Sequence, residues 1–310
     1  MKLLIISHTE HYKSETGEIV GWGPTITEIN HLTEIFNEIY HCAPLYKYPA
    51  PKSSLAYLSE KIHFVPLKPF GGKTISQKLT VLITAPHNLK IIRETLKKVD
   101  VFQFRAPTGM GVYMIPWLMY FSGKKGWFKY AGNWMHPDPP TGYKIQKWFL
   151  VRNGNFPVTI NGKWEGQPKH CITFENPCLT GNDLIEGEEN FKNKDYSGKL
   201  DFIFVGRLDR AKGVHRILNA FSKIDSDRIG TINLVGDGEE KSKFEEQAKS
   251  INTGLFFMVF CQEKKFLNFI RNHIFFYFLR ILRDFPKCLP KLQILDVFLL
   301  FPIYHACPIM

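Results

Sequence analysis

The sequence predicts an α/β protein of two domains, each with a doubly wound parallel sheet. Short apolar runs of strand length alternate with segments of helical periodicity, as parallel sheets with crossover helices require. A length of 310 residues suits two domains. We expect the first domain over 1–180, a linker rich in Gly, Asn, Glu and Lys over 181–199, and the second domain over 200–310.

The first domain shows this alternation most clearly. A polar loop, His8–Pro24, separates the first strand from the first helix, and Pro86 is expected to separate two later helices. Strands are predicted over Leu3–Ser7, Lys61–Lys68, Asp100–Arg105, Gly126–Trp134, Val158–Gly162 and His170–Cys178, and helices over Thr25–Tyr40, Ile75–Ile83, His87–Lys97, Gly109–Ser122 and Tyr143–Val151.

The second domain opens with a strand, a basic turn and a helix. Gly206 ends the apolar run Phe202–Val205, Arg207 and Lys212 follow, and a helical pattern begins after Gly213. Ligands of open α/β sheets bind beyond the carboxyl ends of the strands, where helix N-termini favour anions. The stretch therefore predicts a phosphate or diphosphate ligand.

A second turn of the same kind makes the pattern specific. Gly236-Asp237-Gly238 follows the apolar run Ile232–Val235 and precedes a charged helix predicted over Glu239–Ser250. Together with Phe204-Val205-Gly206-Arg207-Leu208 and Lys212-Gly213, it resembles the group 1 (family 4) glycosyltransferases of the two-Rossmann-domain (GT-B) type. The resemblance covers Leu200–Leu255 well and the first domain loosely. An ordinary strand–helix unit with surface basic residues is the alternative.

The resemblance implies a fold and a donor site. The fold would be two Rossmann-like domains facing across a cleft, with the second domain incomplete. Gly206, Arg207 and Lys212 would hold the diphosphate of a nucleotide-sugar, and the basic side chains would offset charge developing on the leaving group. Gly236, Asp237 and Gly238 would form a donor-side turn.

The first domain supplies candidates for the acceptor side. The resemblance implies that the loop after strand one faces the acceptor, and Gly21, Trp22 and Gly23 lie there. A plain strand-to-helix loop is the alternative.

A proline-rich loop after the predicted strand Gly126–Trp134 supplies the catalytic candidates. Several family members place a histidine or an acidic residue here near the reacting sugar, so His136 and Asp138 are our candidates, with His8 as a weaker one. The alternative is a rigid proline loop with an incidental histidine.

The amino-acid composition limits the kinds of ligand and partner that we expect. The net charge of +11 suits an anionic donor and an anionic membrane surface, and no nucleic-acid-binding motif is present. Six cysteines without a Cys-x-x-Cys pair indicate free thiols in a reducing compartment and no zinc site. We expect no metal and no cofactor. We also expect a cytoplasmic protein with peripheral membrane contact, since no signal peptide or spanning run is seen.

The pattern changes after Leu255. The family's donor site needs a Glu-Gly-Phe loop with a second glutamate eight positions after the first, but no glutamate follows Glu263. Reading the codons from Phe278 one nucleotide earlier permits Ser-Glu-Gly-Phe-Pro-Lys and the second glutamate at that distance. We therefore hypothesise a shifted reading frame and a truncated domain. The alternative is an aromatic, basic tail that docks on membranes.

These observations together predict a function. The protein would move a sugar from a nucleotide-sugar to a glycan or lipid-linked acceptor in surface polysaccharide synthesis, with retention and without a metal, impaired as the chain is written. A non-catalytic remnant, or a nucleotide-sugar epimerase of the same architecture, is the alternative.

Overall fold

The computed structural model describes two units, Met1–Glu175 and Asn176–Met310. Its described residues are 1–174 without 52, 53 and 73; 185 and 189; 198–258 without 225, 226, 228, 250, 252 and 253; and 275–277 and 298–300. Nearly all of the predicted linker over 181–199 lies outside them, so the predicted domain boundaries stay a prediction.

The first unit contains ten strands and four helices among its described residues. The strands are β1 Lys2–Ile6, β2 His11–Lys13, β3 Ile19–Trp22, β4 Glu38–Pro44, β5 Ser54–Ala56, β6 Ile62–Leu67, β7 Val101–Ala106, β8 Lys125–Tyr130, β9 Val158–Asn161 and β10 Cys171–Phe174. The helices are α1 Gly23–Leu32, α2 Ile75–Leu96, α3 Gly111–Phe121 and α4 Thr141–Arg152.

Seven of these strands form one parallel sheet in the order β10-β9-β8-β7-β1-β4-β6. From β1 the chain builds outward through β4 and β6, then returns to β7 on the other side. Leu4 and Ile6 pack into one core, while Leu3 and Ile5 pack into another. Because neighbouring residues of a strand point to opposite faces, the two cores lie on the two sides of the sheet.

Two predictions near the N-terminus were wrong. Within the predicted polar loop His8–Pro24, β2 and β3 pair antiparallel, and β5 completes a small sheet. The helix predicted over Thr25–Tyr40 ends at Leu32, and β4 pairs with β1 from Glu38 onward. Ile39 fits a helical period, but its N–H donates to the Lys61 carbonyl at 2.8 Å on the β6 side, and strand pairing on both sides buries it completely.

Proline did not separate helices as predicted. The structure has a single helix, α2, where the sequence predicted two, and Pro86 lies inside it. Pro86 is exposed, so its ring needs no space in the core. Pro116 likewise lies inside α3.

The second unit carries a parallel sheet in the order β13-β12-β11-β14-β15. Its strands are β11 Leu200–Val205, β12 Ile229–Val235, β13 Gly254–Met258, β14 Phe275–Tyr277 and β15 Phe298–Leu300. Helix α5, Val214–Phe221, follows β11, and helix α6, Lys241–Ala248, follows β12. A short 3₁₀ turn spans Arg210–Lys212, directly before Gly213 and α5. Two tail segments thus extend the sheet.

The predicted fold class is confirmed: both units are α/β with doubly wound parallel sheets. In the part of the chain that the structure describes, no helix is both long and apolar enough to cross a bilayer.

Candidate functional site

Strand order places a ligand position in the second unit. The chain builds outward from β11 to β12 and β13, and then resumes on the other side of β11 with β14. Ligands of open α/β sheets bind at the carboxyl ends of the strands where the order reverses in this way. Gly206 directly follows β11 and therefore lies at that position.

The two glycine turns predicted from the sequence lie side by side. The Gly206 N–H donates to the Val235 carbonyl at 3.0 Å, and the Leu208 N–H donates to the Asp237 carbonyl at 2.9 Å. Gly236 has a φ of +151°, and a Cβ atom there would overlap the Gly206 carbonyl oxygen. A Cβ atom on Gly238 would overlap the Leu208 carbonyl oxygen in the same way. Only glycine fits at these two positions.

The basic turn is organised by a residue that the sequence analysis missed. The Asp209 carboxylate accepts the Lys212 N–H at 2.8 Å through Oδ1 and pairs with the Arg207 guanidinium through Oδ2. Arg207 is exposed and Lys212 is half-buried. Gly213 then adopts the left-handed conformation, with φ +82°, and α5 begins. An acidic residue within a basic turn was the signal for Asp209, since Asp favours helix-start positions.

A second acidic side chain joins the two turns. Glu240, directly before α6, accepts the Arg210 N–H at 2.7 Å. The start of the 3₁₀ turn and the start of α6 are thereby held together. The structure thus brings five of the predicted donor-side residues into one surface region: Gly206, Arg207, Gly236, Asp237 and Gly238.

The first unit has its own reversal of strand order, between β1 and β7. Arg105 on β7 and Lys129 on β8 are register partners near the carboxyl ends of these strands, and both are buried. Glu28 of α1 contacts both: Arg105 Nη1 donates to its Oε2 at 3.3 Å, and Lys129 Nζ pairs with its Oε1. We call these three residues the ionic cluster.

The ionic cluster carries one more positive than negative charge. Arg105 Nε donates to Gln103 at 2.9 Å, and Arg105 Nη2 lies 3.2 Å from Glu28 Oε1 without hydrogen-bond geometry. Burial lowers the pKa of Arg105, and the neighbouring Glu28 carboxylate opposes that shift. Lys129 Nζ also lies 4.2 Å from the centre of the Phe174 ring. Sequence analysis missed this cluster because both cations stand within apolar strand patterns.

A closed chain of hydrogen bonds lies at the same edge of the sheet. The ring of His11 contacts the Thr9 carbonyl through Nδ1 at 2.8 Å and the Tyr57 hydroxyl through Nε2 at 2.8 Å. The Tyr57 hydroxyl also contacts His41 Nδ1 at 2.6 Å, and His41 Nε2 contacts Ser7 Oγ at 2.8 Å. The Thr9 N–H donates back to Ser7 Oγ at 3.2 Å.

The Thr9 carbonyl fixes the proton on His11 Nδ1, and the other directions follow when both histidines are neutral. A carbonyl only accepts, so His11 carries its proton on Nδ1 and accepts from Tyr57 through Nε2. The Tyr57 oxygen then accepts from His41 Nδ1, and His41 accepts from Ser7. This arrangement of donors and acceptors requires both histidines to be neutral, which their burial favours. Burial lowers the pKa of His11 to about 4, and burial, with His11 and Arg105 nearby, holds the pKa of His41 well below its ordinary value.

The predicted acceptor loop contacts this chain. Gly21 lies on β3, where a Cβ atom would lie 2.6 Å from His11 Nε2. Trp22 is about half exposed, and Gly23 is buried at the start of α1. The loop is therefore a strand of the small antiparallel sheet that runs into α1, and its role toward an acceptor stays a prediction.

The catalytic candidates lie in the exposed loop after β8. The Asp138 N–H donates to His136 Nδ1 at 3.2 Å, and the Asp138 carboxylate lies 3.3 Å from Lys144 Nζ. Both residues are exposed. Their catalytic role stays a prediction. Among the described residues, no group of three or more His, Cys, Asp or Glu side chains could hold a metal ion.

Comparison with solved structures shows the fold. Sucrose-phosphate synthase from Thermosynechococcus elongatus is 12% identical, with a TM-score of 0.66 over 97% of this chain and 81% of that chain. HepE from Anabaena, solved with UDP and glucose, is 12% identical, with a TM-score of 0.61 over 97% and 80%. WaaG, a glycosyltransferase involved in lipopolysaccharide biosynthesis, is 10% identical, with a TM-score of 0.52 over 96% and 80%.

These matches define the class of fold. The chain has the fold of the two-Rossmann-domain glycosyltransferases. Residues 186–281 match the model of the family of glycosyl transferases group 1. The resemblance predicted from the turns is thereby confirmed. No curated protein matches the chain.

Proposed function

We propose that this fold binds a nucleotide-sugar at the carboxyl end of β11 and that its parent activity is sugar transfer. One observation carries the proposal. The two glycine turns lie together where the strand order reverses, and Arg207 and Lys212 stand between the end of β11 and the start of α5. The glycines let a ligand approach the backbone closely, and the basic residues with the helix N-terminus favour a diphosphate.

The donor would be held mainly by charge. Arg207 and Lys212 would contact the diphosphate and stabilise the charge that develops on it as the sugar departs. Arg207 now pairs with Asp209, so the diphosphate would replace that carboxylate as its partner. HepE was solved with UDP and glucose, which supports a uridine nucleotide as the first ligand to test.

The finer parts of the proposal concern the acceptor and the reaction. We propose transfer with retention, without a metal, to a glycan or lipid-linked acceptor in surface polysaccharide synthesis. The involvement of WaaG in lipopolysaccharide biosynthesis and the net charge of +11 support an acceptor at the anionic cytoplasmic surface of a membrane. His136 and Asp138 would act near the reacting sugar, and Gly21, Trp22 and Gly23 would face the acceptor.

We further propose that this chain is impaired. The sequence after Glu263 contains neither of the two glutamates that the family's donor site needs. Reading the codons from Phe278 one nucleotide earlier would restore both. Most of that segment lies outside the described residues. Sequencing the encoding DNA from Leu255 onward tests this proposal, because an intact shifted frame supports it and the lack of one contradicts it.

Binding of UDP to the full chain is the first experiment. Calorimetric titration should give binding that weakens about tenfold or more in Arg207→Ala and in Lys212→Ala, because each removes a charge-assisted contact. Lys223→Ala is the matched control: it removes one exposed positive charge beyond the far end of α5. Equal losses in all three variants, or no binding at all, would contradict the proposed site.

Turnover then separates the remaining alternatives. Incubation with a labelled UDP-sugar and a glycan acceptor should give a labelled glycan if transfer persists. Binding without any product identifies a non-catalytic remnant. A rearranged sugar formed without acceptor would identify an epimerase and contradict sugar transfer.

A further inference from the structure

Helix α2 of the first unit turns large aliphatic side chains outward. Ile75, Leu79, Leu82 and Ile83 are 78%, 53%, 66% and 75% exposed. Their spacings of four, three and one residues place them on one side of the helix. We call these four residues the α2 stripe. Scattered exposed apolar residues are ordinary, but a stripe along one helix indicates a contact surface.

The opposite side of α2 is fixed to the unit by polar groups. Thr80 Oγ1 accepts the Gly71 N–H at 2.9 Å, and Asn88 bonds both the N–H and the carbonyl of Lys68, at 2.9 and 3.1 Å. Ile92 is fully buried on the same side. Since these contacts set the rotation of the helix, the α2 stripe does not become buried by a simple turn of α2.

The segment around the α2 stripe contains basic residues but no acidic ones. No Asp or Glu occurs between Glu60 and Glu94. Helical spacing places Lys90 and Arg93 on the side of the stripe, one and two turns beyond Pro86. The lysines and arginines of this segment are Lys61, Lys68, Lys73, Lys78, Lys90 and Arg93.

We propose that the α2 stripe docks on an anionic lipid surface. Aliphatic side chains beside lysines and arginines are what an interfacial helix needs, because the first enter the acyl boundary and the second pair with acidic headgroups. Among the possible occupants, a second copy of this chain would bring the same positive charges to the contact and be repelled. Docking requires no donor nucleotide, so it stands or fails separately from the proposed nucleotide-sugar site.

The test is sedimentation of the full chain with vesicles in the absence of nucleotide. Vesicles of phosphatidylcholine with roughly 30% phosphatidylglycerol should bind at least about tenfold more protein than pure phosphatidylcholine, and added salt should weaken binding. The triple variant L79Q/L82Q/I83Q should lose most of this binding. A second variant, K78Q/K90Q, should lose the preference for acidic vesicles while its stripe stays intact.

The matched control removes three exposed apolar side chains elsewhere on the same unit. Leu58, Tyr120 and Phe121 are 86%, 69% and 74% exposed, and L58Q/Y120Q/F121Q should bind vesicles within about twofold of the unaltered chain. Circular dichroism checks that each variant is folded.

Three outcomes would overturn the proposal: no binding to acidic vesicles, equal binding by the stripe variant, or equal loss in the control. Sedimentation velocity supplies a fourth, since self-association that the stripe variant abolishes would assign the surface to a second copy.

Discussion

The Cα atom of Gly236 lies so close to the carbonyl oxygen of Gly206 that a side chain on Gly236 would overlap it. This contact joins the turns after β11 and β12, which are far apart in the chain and carry the proposed donor site. The backbone of the turn after β11 thus packs directly against the backbone of the turn after β12.

Gly236→Ala should therefore destabilise the second unit and abolish UDP binding. Alanine adds a Cβ atom against a backbone carbonyl and disfavours the φ of +151°, which together should cost roughly 2–4 kcal/mol. Urea unfolding and UDP titration measure the two effects. Gly198→Ala is the control, because a Cβ atom there meets nothing within 4 Å. Near-equal unfolding midpoints for the two variants would contradict the proposed crowding.

Asp209→Asn should strengthen UDP binding. The carboxylate pairs with Arg207 and would compete with a diphosphate for it, whereas asparagine still accepts the Lys212 N–H through its oxygen. Because the pair with Arg207 is exposed and such pairs are weak, we expect a gain of about two- to fivefold. Calorimetry decides this, and weaker binding would mean that Asp209 holds Arg207 in its binding position.

Glu28→Gln should destabilise the first unit more than removal of either cation. Its carboxylate contacts buried Arg105 and Lys129, so the amide leaves two buried positive charges without a counterion, at a cost of about 3 kcal/mol. Lys129→Met keeps the Arg105–Glu28 pair and should cost less. Glu94→Gln, which breaks an exposed pair with Lys97, should change unfolding by less than about 0.5 kcal/mol. Denaturant unfolding of the three variants tests this order.

Stability of the first unit should fall as pH drops from about 6.5 towards 4. His11 stays neutral in the folded protein down to a pKa of about 4, whereas its ordinary pKa is 6.5. Over that interval the unfolded chain binds more protons, so the stabilisation is complete above the ordinary pKa and is lost as pH falls. The loss should be roughly 3 kcal/mol.

Histidine NMR titration and unfolding at several pH values measure this loss. Protonation of His11 near its ordinary pKa would contradict the hydrogen-bonded chain through Tyr57.

The sequence predicted the donor-side turns because glycine and charge patterns there are local. The structure confirms a strand in each apolar run that precedes these glycines. Strand β11, Leu200–Val205, precedes Gly206, and strand β12, Ile229–Val235, precedes Gly236 and Gly238. It misplaced the boundary of α1 because Ile39 fits both a helical and a strand pattern, and only pairing with β1 decides between them.

The ionic cluster and the histidine chain were beyond sequence reasoning. Glu28 is separated from Arg105 by 77 positions and from Lys129 by 101, and Tyr57 joins two histidines from different strands. Each residue alone has an ordinary pattern. Their pairing depends on which strands become neighbours at the carboxyl edge of the sheet.

By itself, the sequence determined the fold class, the family resemblance and the two turns of the proposed donor site, because periodicity, glycine and charge are properties of short segments. Only the tertiary structure decided which buried charges meet at Glu28, that both histidines are neutral, and that the α2 stripe faces solvent. These depend on contacts between distant segments, and burial sets both the cost of a charge and the exposure of an apolar side chain.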